Sequence, residues 1–202
     1  MLRAVARGSH RNGTLRVEIE RLFDGGEWSR ARWILEQLLR DSPHDHWLHL
    51  QIALTFFEDR QLDKACEAIE RAGALAPECP QVLWYRAGIL HELGRLDDAV
   101  QVYRAIVERG PERWTEGGCG LRISLARGLV SDSWRRLFDI HAARGEKEFA
   151  DLAYEQHLDM LGPGCYGLYT LSVTSAAHPE AIRRNLRMRT SLRKPVPPPS
   201  MH

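Results

Sequence analysis

The residues with most chemistry to offer are a glycine-flanked cysteine, a histidine cluster and a run of arginines. Cys119 stands in Gly117-Gly118-Cys119-Gly120, a loop composition that exposes a thiol. A cysteine nucleophile needs a base within reach, and His141 and His157 are the candidates. Nothing beside Cys119 in the sequence activates it, so a buried or inert thiol is the plainer account. His44, His46 and His49 surround Asp45. His46 and His49 share a helical face, which lets two imidazoles approach one ion. No cysteine or histidine stands at zinc-finger spacing from them. Solvated or capping histidines are therefore expected, with no metal and no other cofactor. The glycines lack the Gly-Lys-Ser/Thr that a phosphate loop requires.

Charge is divided along the chain. All 27 acidic residues lie between Glu18 and Glu180, whereas residues 1–16 carry four arginines and no acid. Near the other end Arg183, Arg184, Arg187, Arg189, Arg193 and Lys194 again have no acidic neighbour. That run has affinity for nucleic acid or anionic membrane as an alternative function. No aromatic side chain is interleaved for base stacking, so a solvated basic face, or one docked on the acidic body, is the simpler reading. Residues 195–199, Pro-Val-Pro-Pro-Pro, suit a polyproline II tail.

The remaining composition is that of a globular protein. Hydrophobic residues make up 44% and charged residues 27% of the 202. No apolar run approaches the roughly 18 residues of a membrane span, and no secretory h-region follows the N-terminus. The basic start has the composition of a mitochondrial presequence but is short and weakly amphipathic. Cys66, Cys79, Cys119 and Cys165 form no C-x-x-C pair. Reduced thiols and a cytoplasmic location are expected.

The elements that must position these residues follow one period. Gln61-Leu62-Asp63-Lys64-Ala65 recurs 34 residues later as Arg95-Leu96-Asp97-Asp98-Ala99, and Ala31 lies 34 before Ala65. Pro43, Pro77 and Pro111 keep the same interval, as do the large residues Leu35, Ile69 and Tyr103. Each unit reads as two amphipathic helices. The pattern predicts helices over 46–58 and 62–75 in the second unit. In the third, Leu83, Ala87 and Leu90 form the packing stripe of the first helix. The alanine belongs where two helices cross closely. After Pro111 the period slips by 17 residues. A fourth unit then follows, with Trp134-x2-Leu137 before Gly145 and Ala150-x3-Tyr154. Its first helix is expected to run from about 120 to 144, with a break at Ser131-Asp132-Ser133 left open.

These residues resemble the tetratricopeptide repeat family, whose period is 34 and whose pattern is W-x2-L-G-x2-Y…A-x3-F…P. The match is strong in the late half of the first three units and weaker in the early half. The resemblance implies an all-α, right-handed α-solenoid of helical hairpins, with units at 14–44, 45–78, 79–112 and 119–162. A capping helix is expected over 165–189, a disordered basic start over 1–13 and a Pro-rich tail over 190–202.

The resemblance also implies a non-enzymatic module that holds peptides on the concave face of the first helices. Trp47, Leu50, Leu54, Phe57, Trp84, Tyr85 and His91 fall there by phase. A basic clamp for a terminal carboxylate needs Lys and Asn where this chain has apolar residues. An apolar segment or amphipathic helix of another protein is thus the expected partner. Coverage by the chain's own C-terminal helix, or by a second copy, is the competing expectation.

Overall fold

Four turns inside the hairpins are built alike, and they set the architecture. Gly26, Arg60, Gly94 and Gly145 all take positive φ, between 58° and 74°. In each turn that residue donates its N–H three residues back. The next residue donates five back, as in Gly94→His91 (2.9 Å) and Arg95→Leu90 (2.9 Å). This paired closure caps the outgoing helix through a left-handed residue. Glycine adopts that conformation at no steric cost, and the second unit has Arg60 in its place.

The computed structural model describes residue 15 and residues 17–161, and these hold eight helices and no strand. They are α1 (17–24), α2 (Trp28–Asp41), α3 (His46–Glu58), α4 (Leu62–Leu75), α5 (Pro80–Glu92), α6 (Leu96–Arg113), α7 (Ile123–Ala143) and α8 (Lys147–Met160). Sequence neighbours pack on one another from α2 to α8, and α5 also reaches α7. The result is an all-α solenoid of antiparallel hairpins. The expected 46–58 and 62–75 helices coincide with α3 and α4.

Ala31, Ala65 and Ala99 are completely buried, and Ala150 nearly so. Each sits where the second helix of a hairpin crosses the first, and a methyl group lets the backbones approach. The core forms two clusters that meet at α5. Val82 and Ile89 join Leu35, Leu48, Leu50, Ile52 and Ile69 below it. Ala87 and Leu90 join Tyr103, Ile106, Leu129, Leu137 and Ile140 above it. Arg32 ties α2 to the end of α3: it donates to the Thr55 hydroxyl (3.0 Å), pairs with Asp59 and lies over the Phe56 ring.

Two features depart from the simple repeat. Gly110 has φ 74° and ψ 158°, yet a helical turn resumes with the buried Pro111 and ends at Arg113. Gly110 and Pro111 therefore kink the helix without ending it. α7 runs unbroken for 21 residues, with Ser131, Asp132 and Ser133 buried inside it. Ser133 donates back to the Leu129 carbonyl (2.8 Å), and Ser131 Oγ meets His157 Nδ1 on α8 (3.0 Å). These serines bond within and between helices and do not start a new one. The capping helix, both terminal segments, Cys165 and the arginines at 183, 184, 187 and 189 lie outside the described residues.

Candidate docking wall and thiol–imidazole cluster

α5 begins at Pro80, where a missing N–H costs nothing, and carries apolar residues on more than one side. Trp84, Gly88 and His91 fall four and three residues apart, so they share a face. The Trp84 ring meets Tyr85 edge-on, with centroids 4.9 Å apart. Gly88 opens a notch between Trp84 and His91. A methyl group built there would find only the Tyr103 hydroxyl, at 4.0 Å. Trp84 Nε1 and His91 Nδ1 are both shielded from solvent and have no hydrogen-bond partner among the described residues. Burial, and then the Arg136 guanidinium, hold the His91 ring below its ordinary proton affinity. Glu92 and Asp139 oppose this in part.

The seven residues predicted for the concave face do not share one role. Leu50 is 2% exposed and belongs to the core, so it offers no surface to a partner. It occupies the position equivalent to Trp84, where the larger ring reaches beyond the space a leucine fills. Leu54 and Phe57, equivalent to Gly88 and His91, are half-buried on α3. Trp47 lies at the start of α3, beside Leu38, Asp41 and Leu48 in a shallow depression at the α2–α3 junction. Tyr85 packs on the lower cluster while its neighbour Trp84 packs on the upper one. Burial, with the Glu58 carboxylate second, raises the Tyr85 hydroxyl above its usual range. The face of Trp84, Gly88 and His91, with Leu54 and Phe57 one repeat earlier, is what remains of the predicted wall.

The candidate chemical residues are also rearranged. His49 is buried, with Nε2 3.0 Å from the Pro43 carbonyl, so it does not join His46 at an ion. His141 is buried against Glu146, and His157 meets Ser131. Neither base is paired with Cys119. The Cys119 thiol instead lies 3.3 Å from His46 Nε2. Cys79 completes the group: the three ligand atoms all fall within 4.8 Å of one another. Sequence spacing gave no sign of this. The residues are 33 and 40 apart and come from three different turns. Burial and the adjacent Cys79 thiol push the Cys119 thiol up, away from the thiolate a nucleophile needs.

Residues 50–113 match the tetratricopeptide repeat family. That segment is a tetratricopeptide-repeat array covering α4, α5, most of α3 and all of α6, including the proposed wall on α5. No curated protein matches the chain. Among solved structures, BtubC (BKLC) from P. vanneervenii superposes with a TM-score of 0.62 at 15% identity, over 93% of this chain and 83% of that one. The MamA RS-1 ArsTM double mutant gives 0.52 at 17% identity, over 74% of each chain. The Sgt2 TPR domain from Aspergillus fumigatus gives 0.49 at 20%, over 67% of this chain and 83% of that one. At such identities the first two likenesses speak for the fold alone. Tetratricopeptide repeats in general bind other proteins or peptides. No described helix is long and apolar enough to cross a membrane.

Proposed function

We propose that this chain is a non-catalytic protein-binding module, working as an adaptor, assembly factor or chaperone in the cytoplasm. It holds an apolar segment or amphipathic helix of another protein against α3 and α5. The supporting observation is the face on which part-buried Trp84 and His91 flank Gly88, where an added methyl group would find only the Tyr103 hydroxyl at 4.0 Å. Trp84 is the anchor, since aromatic side chains dominate such contacts. The Gly88 notch receives a side chain of the partner.

The alternative, attachment to nucleic acid or anionic lipid, works through Arg183, Arg184, Arg187 and Arg189. Quantitative capture from the source cell separates the two, using wild type, Trp84→Ala and a chain truncated after 182. The groove reading expects a protein that survives high salt, is lost with Trp84→Ala and is kept or enriched by truncation. Capture that vanishes with truncation and with salt, and ignores Trp84→Ala, contradicts it.

A further inference from the structure

We propose that His46, Cys79 and Cys119 are the protein ligands of a Zn2+ site, with a fourth position left for water or an incoming ligand. The three side chains come from the edge of the solenoid where successive hairpins join. His46 is the first residue of α3, directly after the capping Asp45. Cys79 stands at the N-cap position of α5, makes no side-chain capping bond and is buried. Cys119 comes from the loop joining α6 to α7, the insertion that breaks the repeat period. A regular repeat would have a short turn here and nothing to bring across.

The loop is held in the shape that delivers Cys119. Leu121 donates to the Trp114 carbonyl (2.8 Å) and Gly120 to the Gly117 carbonyl (3.1 Å). Trp114 is itself buried, its indole N–H bonded to the Ile106 carbonyl at 3.0 Å. Gly117 takes φ 82°. At Gly120 a Cβ would stand 2.4 Å from the Thr115 carbonyl oxygen, so that position takes only glycine. Cys119 packs on the lower core cluster, beside residues of α3 and α5.

Two sulfurs and one imidazole suit Zn2+, a borderline-soft ion that takes a tetrahedral N/S shell. Zn–S bonds of about 2.3 Å and Zn–N bonds of about 2.0–2.1 Å place tetrahedral ligand atoms roughly 3.5–3.8 Å apart. The separations here, 3.3 Å for Cys119 Sγ to His46 Nε2 and at most 4.8 Å for any pair, bracket that range. Both sulfurs bind as thiolates and the imidazole as the neutral ring, so loading a reduced site releases the two thiol protons to solvent. Cys79 lies at a helix N-terminus, where the backbone N–H groups favour a thiolate. Filled, the site fastens the inserted loop to α3 and α5.

The test uses the full chain, reduced and stripped of metal. Co2+ serves as the optical probe, and Zn2+ displaces it. The expected result is one ion per chain, thiolate-to-cobalt charge-transfer absorption, and a melting temperature raised by Zn2+. Cys119→Ser should weaken binding by at least about tenfold, while Cys66→Ser leaves it unchanged. Because a serine variant can disturb the loop, peptide mapping of the wild type adds a second readout: Zn2+ should protect Cys119 and Cys79 from alkylation, and not Cys66. Metal bound equally by Cys119→Ser, or thiols alkylated equally with and without Zn2+, would overturn the site. So would a Cys79–Cys119 disulfide in freshly isolated protein that carries no metal.

Discussion

Arg60 shows how one residue can sit against the repeat's own logic. It occupies the left-handed position that glycine holds in the other three hairpin turns, with φ 58°. A non-glycine residue there costs about 1–2 kcal/mol. The exposed bridge to Glu92 (3.1 Å) returns little of that. Arg60→Gly should raise stability by about 0.5 kcal/mol, the rest being lost to the freer unfolded chain. A urea midpoint below that of wild type would refute this. His91 sets an acid limit on the same scale. Its folded proton affinity is lowered from the ordinary 6.5 by burial and Arg136, partly offset by Glu92 and Asp139. Below about pH 6.5 the unfolded chain takes up a proton that the folded chain refuses, so stability is full above that pH and falls beneath it. His91→Gln should remove this part of the acid dependence. Urea midpoints at pH 7 and pH 5 measure the difference, and an unchanged gap between them contradicts the assignment.

At the scale of elements, the alanines carry the crossings. Ala65 and Ala99 have no exposed surface, and Leu at either should overpack its hairpin and cost about 1–3 kcal/mol. A thermal melt within error of wild type counts against close crossing. Gly120→Ala acts on the inserted loop. Its Cβ meets backbone at 2.4 Å, so the loop must shift, at a cost of about 1–3 kcal/mol. A crystal structure of that variant with the loop unchanged would contradict the account. The hairpins were readable from sequence because alanine, large apolar residue and proline recur at 34, and the same packing demand recurs with them. The unbroken α7 was half-readable. Ser131-Asp132-Ser133 looks like a helix start, but those hydroxyls bond to Leu129 and His157, partners that only tertiary packing supplies. The burial of Leu50 was missed for a related reason. Helical phase gives a direction, whereas how deeply Leu50 is sealed depends on the neighbouring helices that build the lower core cluster. The His46–Cys79–Cys119 grouping was not legible, because its members meet through a loop whose path the repeat does not dictate.

For the whole molecule, the central claim is that the solenoid's α5 face docks a protein through Trp84. That ring is only part-buried and packs on the upper core cluster, so the claim separates surface from scaffold. The most direct measurement is a binding titration of wild type and Trp84→Ala against the captured partner, with a thermal melt of each. The account predicts at least about a tenfold weaker affinity, the loss of a hot-spot aromatic, with helix content kept and the melt still cooperative. Unaltered affinity, or a variant that unfolds outright, would contradict it.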